Sequence, residues 1–306
     1  MKCSKCKKDA VIFQRYSGMH LCIEHFTKDF EGRAKKTIRQ HKWISSGDRI
    51  AVAMSGGKDS SAVLYFLRKI FGKRPDIEIF ALTIDEGIKG YRDPSAVFKI
   101  AESQGVKCHT ASFHEHFGIT LDEIVKEKGD RNSCSYCGVL RRQILNAYAR
   151  ELGATKIAMG FNLDDEAQSV MMNVLRGDSE RLLRKQSPVE GFIPRIKPFS
   201  SIPEREVALY ADLYIEEFEE RGCPYSHNAL RADVREVLND YNYRHPSTKY
   251  ALLKLGDELK EGTCSDNTKI SRCSVCGEPV FGECHTCRIL NDLKKTITEE
   301  KNDMEI

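Results

Sequence analysis

Short apolar runs alternate with amphipathic stretches from residue 48 to about residue 200. The apolar runs predict four buried strands, at 49–54, 77–84, 106–111 and 155–160. Between them, apolar residues recur at helical spacing and predict three helices, near 59–72, 93–104 and 138–152. This alternation is typical of βαβ units, so the sequence predicts an α/β fold with a doubly wound parallel sheet. A helical extension is predicted after the sheet, near 203–220, 227–240 and 245–261.

The turn after the first of these strands has the composition of a phosphate-binding loop. Ser55-Gly56-Gly57 leads directly into a helix, and glycines let the backbone approach an anion closely. Lys58 adds a positive charge, and Ser60 adds a hydroxyl donor. The Walker pattern does not match, because it needs four residues between its first glycine and Gly-Lys-[Ser/Thr]. The turn nevertheless predicts a nucleotide phosphate as ligand.

Two other predicted strands also end in polar residues. Asp85-Glu86-Gly87 follows the second strand, and the segment 160–165 follows the fourth. Because ligands of doubly wound sheets lie beyond the carboxyl ends of the strands, we expect the three polar tips to converge on one crevice. Asp164 and Asp165 also begin a helix, and one of the two is expected only to cap it.

Cysteines near both ends of the chain have the spacing of zinc ligands. Two ligand pairs are separated by fifteen residues near the N-terminus and by seven near the C-terminus. A segment this short has almost no apolar core, so the metal would supply its folding energy. The predicted sites are zinc 1, with Cys3, Cys6, Cys22 and His25, and zinc 2, with Cys273, Cys276, Cys284 and Cys287.

These patterns divide the chain into five parts. The predicted parts are an N-terminal zinc ribbon (1–27), a basic helical linker (28–47), the sheet domain with its helical extension (48–262), a four-cysteine zinc module (263–295) and a charged tail (296–306). Of these, the sheet domain is long enough to bury a substantial core.

Composition limits the functional class. The chain has 306 residues, 30% of them charged, and no apolar run of the roughly 18 residues that a membrane span requires. Its first eight residues lack the apolar stretch of a signal peptide. Twelve cysteines in such a protein indicate metal or redox chemistry in the cytoplasm rather than disulfides.

Positive charge is concentrated in two regions. Residues 1–47 contain 11 Lys and Arg against 4 Asp and Glu, and a basic connector spans 172–200. Because clustered cations bind phosphate backbones, both regions predict a polyanionic partner. The cations of the connector are Arg176, Arg181, Arg184, Lys185, Arg195 and Lys197.

Three other cysteines stand apart from both predicted zinc sites. Cys134 and Cys137 open a predicted helix that carries Arg141, and Cys223 follows much later, directly before a proline. Their spacing is compatible with a third zinc site, a redox disulfide or a three-cysteine iron–sulfur cluster. Spacing alone does not choose between them.

These motifs together resemble a known family. Ser55 to Ser60 matches the SGGxDS signature of the PP-loop ATP pyrophosphatases, which cleave ATP between the α and β phosphates. With Cys134-Ser-Tyr-Cys137-Gly, the segment Gly160-Phe-Asn-Leu-Asp-Asp-Glu-Ala-Gln168, Cys223 and the terminal cysteine modules, the chain resembles the TtuA/TtcA family of PP-loop tRNA thiolases. The resemblance covers nearly the whole chain and is closest to the archaeal and eukaryotic branch that thiolates the wobble uridine.

The resemblance implies an ATP-dependent 2-thiolation of a tRNA uridine. ATP, with magnesium, would adenylate the C2 oxygen and release pyrophosphate, and sulfur would then displace AMP. Cys134, Cys137 and Cys223 would hold a 4Fe-4S cluster whose fourth iron is open for sulfur. The implied partners are tRNA, a second copy of the chain, and a sulfur donor that is either sulfide or a ubiquitin-like thiocarboxylate carrier.

The resemblance also assigns site residues. Lys58, Asp59 and Asp165 join the three cysteines as catalytic residues. Contacts to ATP are implied for Ala53, Ser55, Gly56, Gly57, Lys58, Asp59, Ser60, Ile84, Arg141, Gly160 and Asp165. Two positions depart from the family pattern, because Phe161 stands where histidine is common and Arg141 where some relatives have lysine. Arginine keeps its proton in proteins, so we expect no acid–base role for Arg141.

Three rival functions use only part of this pattern. An amide-forming PP-loop synthetase would have no use for the cysteine trio. A cluster-free thiolase would carry a persulfide on Cys134 and Cys223. A zinc-ribbon RNA-binding protein with a decayed nucleotide loop conflicts with the intact Ser55 to Ser60.

The chemical motifs are shared by enzymes that thiolate the wobble uridine and by enzymes that thiolate the T-loop uridine. Thiolation of the T-loop belongs to thermophiles, whereas 12 cysteines and 7 methionines are a thermolabile load. We therefore predict the wobble uridine, with the T-loop uridine as the alternative.

Overall fold

A short antiparallel hairpin begins the chain in the computed structural model, which describes residues 1–91, 93–184, 190–218, 222–226, 230–261 and 270–293. The hairpin pairs β1 (Ile12–Gln14) with β2 (Met19–Leu21). α1 (Ile23–Gln40) follows at once, so the predicted zinc ribbon and the predicted basic linker share one helix. One apolar stripe of α1 packs into the main core and comprises Phe26, Phe30, Ala34 and Ile38.

Five parallel strands form the central sheet. They are β3 (Arg49–Met54), β4 (Glu78–Asp85), β5 (Cys108–Ser112), β6 (Lys156–Ala158) and β7 (Arg195–Ile196). Their hydrogen-bonded order is β5-β4-β3-β6-β7. From β3 the chain adds β4 and β5 on one side, and it then adds β6 and β7 on the other side, so the strand order reverses between β3 and β6. That reversal is the point at which doubly wound sheets bind ligands. The predicted fold class and its four strands are confirmed. The sequence did not predict β7, because two residues are too few to show the alternation of apolar and polar side chains in a strand.

Helices cover both faces of this sheet. They are α2 (Lys58–Phe71), α3 (Pro94–Ser103), α4 (Phe113–Phe117), α5 (Leu121–Lys128), α6 (Ser133–Glu151), α7 (Leu163–Leu175), α8 (Ser179–Leu183), α9 (Glu204–Tyr214), α10 (Leu230–Arg244) and α11 (Thr248–Glu261). Ile50 and Val52 pack with α1, α2 and α9, whereas Ala51 between them packs with α4, α5 and α6. This alternation follows from the two-residue period of a strand and gives the sheet two buried faces.

Several helix boundaries differ from those predicted. α6 begins at Ser133 rather than near 138, which places Cys134 and Cys137 in its first turns. The helix predicted at 203–220 ends at Tyr214, and those predicted at 227–240 and 245–261 are α10 and α11. α7, α10 and α11 form a smaller cluster around Ala167, Val234 and Leu238.

The basic connector contains helix and strand, and several of its cations form ion pairs, which its composition does not indicate. It contains the end of α7, α8 and β7. Arg184 pairs with Glu180, Arg181 with Asp178 at 3.3 Å, and Lys197 with Glu166 at 2.7 Å. Lys185 lies outside the described residues. Several of these cations are therefore already neutralised by nearby carboxylates.

A second small hairpin, β8 (Ile270–Arg272) with β9 (Pro279–Phe281), packs beside α6 near the C-terminus. Arg150 of α6 pairs with Glu278 at 2.5 Å, and Leu293 is buried in the core that contains α6. The predicted charged tail, 296–306, lies outside the described residues. Among those described, no helix combines the length and hydrophobicity of a membrane span.

Candidate active site

The phosphate loop joins β3 to α2 at the carboxyl edge of the sheet. Gly56 has φ +80°, a left-handed conformation that favours glycine. Ser60 Oγ accepts a hydrogen bond from Ser55 N at 3.1 Å and donates one to Gly57 O at 3.1 Å, which closes the turn. α2 begins after Gly57 without a side-chain cap, so its first N–H groups are available to an anion.

The tip of β6 lies directly against this loop. A Cβ atom on Gly160 would stand 2.8 Å from Ser60 N, so only glycine permits this approach. Asn162 then donates from Nδ2 to Asp59 Oδ1 at 3.2 Å and accepts bonds from the first amides of α7. The β3 and β6 tips therefore form one polar rim across the switch point. Asn162 directly precedes a helix, where asparagine often caps the first amides, but nothing in the sequence indicates its hydrogen bond to Asp59.

The two predicted carboxylates of α7 have different surroundings. Asp164 is buried, forms an ion pair with the buried Lys249, and accepts a hydrogen bond from Glu204 N at 2.9 Å. Asp165 completes the capping box of α7, in which its carboxylate accepts a hydrogen bond from Asn162 N at 3.2 Å, and it lies 3.6 Å from Arg231. Burial raises the pKa of Asp165 to about 6, and repulsion from Asp59 and Glu204 acts in the same direction. Asp164 thus links α7 to α9 and α11, and Asp165 is the carboxylate that caps α7, close enough to Asp59 to be repelled by it.

Lys58 is held between two carboxylates. Its Nζ donates to Asp59 Oδ2 at 3.1 Å and to Glu204 Oε1 at 3.0 Å. Burial alone would lower the pKa of Lys58, but these two carboxylates outweigh it and raise that pKa, so the lysine is charged. Arg235 pairs with the other oxygen of Glu204. The sequence does not identify Glu204 as a site residue, because Glu204 lies on α9, far along the chain from Lys58.

Carboxylate oxygens therefore gather where a phosphate would bind. Asp59 and Asp165 are linked through Asn162, and Glu204 is linked to Asp59 through Lys58. Oxygen ligands beside phosphate are the donor set that Mg²⁺ prefers. The residues present fit a nucleotide with its magnesium ion.

Two of the three isolated cysteines lie on one face of α6. Cys134 is exposed and Cys137 is buried, one turn apart. Cys223 packs with Cys137 in the same hydrophobic core. Cys134 Sγ lies 3.6 Å from the carbonyl oxygen of Tyr225, so the segment around Cys223 crosses the start of α6. The structure therefore brings the predicted trio together.

Arg141 connects the cysteine helix to the sheet. Its guanidinium donates to Cys137 Sγ at 3.1 Å and pairs with Glu86 at 2.7 Å. Glu86 is buried at the tip of β4. Burial raises the pKa of the Cys137 thiol to about 11, whereas Arg141 favours the thiolate. Ile84 in β4 and Ala53 in β3 pack on the α6 side of the sheet, as does Cys137.

The four-ligand clusters at the two ends of the chain have the spacing of a tetrahedral metal site. In a tetrahedral site with Zn–S bonds of 2.3 Å, sulfur atoms lie about 3.8 Å apart. Cys6 and Cys22 Sγ are 3.7 Å apart at the N-terminal cluster, and Cys22 Sγ is 3.3 Å from His25 Nδ1. The C-terminal sulfur pairs are Cys273 with Cys287 at 3.6 Å and Cys276 with Cys284 at 3.8 Å.

The central trio is more widely spaced. Within the described part of the chain, the N-terminal and C-terminal clusters are the only groups of three or more ligand atoms that all lie within 4.8 Å of one another. Cys134, Cys137 and Cys223 are thus too far apart for one tetrahedral ion. In a multi-iron cluster each thiolate binds a different iron, so the three sulfur atoms need not meet at one ion.

A further pair of arginines lies beside the cysteine helix. Arg142 follows Arg141 on α6, and Arg195 is on β7. Desolvation lowers the pKa of both. Repulsion from Arg181 and Arg141 adds to this effect at Arg142, and repulsion from Arg142 adds to it at Arg195. The region next to the trio is therefore strongly positive.

Comparisons with known proteins agree with this geometry. Residues 2–27 match the family model "2-thiouridine synthetase TtuA, N-terminal LIM domain", and residues 26–240 match the PP-loop domain. The tRNA 2-thiolation protein NcsA of Haloferax volcanii is 35% identical, over 96% of this chain and 99% of the relative. The tRNA-5-methyluridine(54) 2-sulfurtransferase of Pyrococcus horikoshii is also 35% identical, over 97% and 96%.

A solved structure extends the similarity to three dimensions. The U34-tRNA thiolase NcsA from Methanococcus maripaludis, with its [4Fe-4S] cluster, superposes with a TM-score of 0.85 at 34% identity and 96% coverage of both chains. The match therefore includes both terminal modules as well as the sheet domain. The chain belongs to the PP-loop family of NcsA- and TtuA-type tRNA 2-thiolation proteins.

Proposed function

We propose that this protein is an ATP-dependent tRNA 2-thiouridine synthetase. The observation that carries the proposal is the bridge made by Arg141, which joins Glu86 at the β4 tip to Cys137 on α6. Through it, the cysteine trio is fixed to the same carboxyl edge of the sheet as the phosphate loop. An amide-forming synthetase would need the loop but not the cysteines.

The adenylation half of the reaction would use the loop and its cations. The uridine C2 oxygen attacks the α phosphorus of ATP, pyrophosphate leaves, and the oxygen becomes part of a good leaving group. The α2 amides and Lys58 would bind the phosphates and stabilise the charge that develops on them. Asp59 and Asp165 would hold the magnesium ion. Ala53 and Ile84, near the carboxyl ends of β3 and β4, would lie beside the adenine.

The thiolation half would use the trio. Sulfide attacks C2 of the adenylated uridine, and AMP leaves with the former O2 oxygen. When bound by Cys134, Cys137 and Cys223, a 4Fe-4S cluster supplies an open iron position that keeps sulfide anionic. Arg141 would orient Cys137, and its permanent charge would favour the thiolate against the burial that raises the pKa of this thiol.

The decisive test is an anaerobic assay with a tRNA transcript, ATP, magnesium and sulfide. We expect the reconstituted protein to form AMP, pyrophosphate and 2-thiouridine. We also expect it to show the brown colour of an iron–sulfur cluster. Release of ADP would contradict the pyrophosphatase chemistry. Full activity in colourless, iron-free protein would favour the cluster-free persulfide mechanism instead.

We propose the wobble uridine as the target, with the T-loop uridine as the second candidate. The similarity to a U34-tRNA thiolase over the whole chain supports the first, and the similarity to a uridine-54 enzyme supports the second. Mass spectrometry of tRNA from cells that lack the protein distinguishes them. Loss of sulfur at the T-loop, with the wobble position unchanged, would overturn the assignment.

The remaining partners follow from the same chemistry. Zinc is the metal proposed for both terminal clusters, with one ion in each. The sulfur donor is sulfide or a thiocarboxylated ubiquitin-like carrier, and assays with each donor separately would identify it. A homodimer stays a prediction that light scattering would test. The cytoplasm is the proposed location, because the described cysteines are free thiols rather than disulfides.

A further inference from the structure

One face of α1 forms a basic groove with the first knuckle of the N-terminal cluster. The groove has a volume of about 270 Å³ and is lined by Lys5, His25, Lys28, Asp29, Gly32, Arg33 and Lys36. We call the three exposed lysines among them, Lys5, Lys28 and Lys36, the α1 basic face. Lys28 and Lys36 are eight residues apart, which is about 12 Å along a helix.

The charge of the α1 basic face is uncompensated. Each acidic residue nearby already has a partner, although Asp29 shares Arg33 with the buried Glu206. These pairs are Asp29 with Arg33 at 3.0 Å, Glu24 with Lys8 at 2.7 Å and Glu31 with Lys69 at 2.5 Å. In the described part of the chain, no carboxylate lies within ion-pair distance of Lys5, Lys28 or Lys36. The face is therefore complementary to a polyanion.

Gly32 lies at the centre of this face, in the middle of a helix of 18 residues. Glycine weakens a helix interior relative to alanine. Packing within the protein does not require it, because a Cβ atom on Gly32 would have no atom within 4 Å. A glycine at this position does, however, let an external backbone approach α1 closely between Lys28 and Lys36.

The groove is also tied to the phosphate loop through α9. Arg33, which lines the groove, pairs with the buried Glu206 of α9. The first residue of α9 is Glu204, which contacts Lys58. A ligand on the α1 basic face would thus be held at a fixed distance from the ATP site.

We propose that the α1 basic face, with Gly32 at its centre, binds the phosphate backbone of tRNA. The proposal rests on the proposed function and names the surface that docks its substrate. Phosphate contacts position a nucleic acid without reading its sequence, and they make binding depend strongly on salt. The N-terminal cluster would then hold Lys5 beside α1.

The first experiment compares two double variants of equal charge. Lys28→Ala/Lys36→Ala removes the face, and Lys73→Ala/Lys99→Ala removes two exposed lysines elsewhere. The first should weaken binding of the tRNA transcript at least about tenfold and reduce the slope of log K against log salt by about 2. The second should bind like wild type. Equal weakening by both doubles, or none by the first, would overturn the proposal.

The second experiment changes Gly32. Gly32→Ala should keep or raise the thermal midpoint, because alanine favours the helix. Gly32→Leu, with its side chain directed into the groove, should weaken tRNA binding without lowering the thermal midpoint. Wild-type affinity for tRNA in a folded Gly32→Leu variant would show that no backbone approaches α1 there.

These outcomes are separable from failure of the proposed function. If wild type thiolates tRNA and the Lys28→Ala/Lys36→Ala variant binds as well as wild type, only the surface is wrong. If wild type neither binds nor thiolates tRNA, the function is wrong. Polyglutamate of matched charge serves as a competitor, and equal affinity for it and for tRNA would indicate an acidic protein partner and overturn the proposal.

Discussion

Glu204 Oε1 accepts a hydrogen bond from Lys58 Nζ at 3.0 Å, across 146 residues of sequence. The other Glu204 oxygen pairs with Arg235, and the Glu204 amide donates to Asp164. The carboxylate is therefore fixed on the lysine that the phosphates of ATP would use. A bound phosphate would have to share Lys58 with Glu204 or displace it.

Glu204→Gln should tighten ATP binding. The change removes one negative charge beside Lys58 but keeps the size of the side chain. We expect roughly fivefold higher affinity, since one charge pair in a partly exposed site is worth about 1 kcal/mol. Calorimetry with a non-hydrolysable ATP analogue, without magnesium, measures the effect.

The matched control for this change is Glu236→Gln, an exposed carboxylate on α10 beside Arg235. It should leave the affinity for the analogue unchanged. Weaker binding by Glu204→Gln would mean that Glu204 supports the nucleotide rather than competing with it.

Lys58→Ala and Asp59→Ala should each stop conversion of ATP to AMP and pyrophosphate. Both side chains point into the loop region, and neither belongs to a metal cluster of the terminal modules. Iron and zinc content should therefore equal that of wild type. Pyrophosphate release by either variant at the wild-type rate would remove that residue from the catalytic set.

Cys134, Cys137 and Cys223 should act as one unit. Changing any one to Ala should lower iron content and abolish thiolation, because three protein ligands are needed to hold a cluster with one open iron. Zinc should stay near two ions per chain, since the terminal clusters use other residues. Elemental analysis checks both metals, and a Cys223→Ala protein with full iron would show that the trio is not the cluster site.

Lys249→Ala should destabilise the fold strongly. It leaves the buried Asp164 carboxylate without its ion-pair partner, which typically costs about 3–5 kcal/mol. The control is Lys254→Ala on the same helix, where an exposed pair with Glu258 at 3.4 Å should contribute less than about 1 kcal/mol. Denaturant unfolding compares the two, and equal losses would contradict the anchoring role of Asp164.

Asp165→Asn should stabilise the ligand-free protein at neutral pH and abolish ATP turnover. The pKa of Asp165 rises from 3.8 to about 6 on folding, so its contribution to stability is complete below pH 3.8 and is lost as pH rises through 6. Asparagine is uncharged and avoids that loss. At 1.36 kcal/mol per pKa unit, reduced for screening by solvent, the free energy of unfolding should rise by about 1–2 kcal/mol above pH 7. Unfolding at pH 4 and pH 8 tests this, and a pH-independent difference would contradict it.

Features encoded by local spacing were predictable from the sequence. The Ser55 to Ser60 turn, the strand–helix alternation and the two sets of four candidate metal ligands each depend on residues close together in the chain. β7 was not predictable in this way, because a strand of two residues is defined only by pairing with β6. The start of α6 at Ser133 likewise depends on what the CxxC segment packs against.

The sequence by itself therefore determined which chemical groups are available. These are a phosphate loop, two sets of four candidate metal ligands and three further cysteines. The tertiary structure decided which side chains share a site. Glu204 reaches Lys58, and Arg141 joins Glu86 to Cys137, only through contacts between distant elements. Asp164 and Asp165 are adjacent in sequence, yet successive helical residues point about 100° apart. That rotation turns Asp164 toward Lys249 and Asp165 toward Asn162, whose side chain binds Asp59, so only packing could assign their roles.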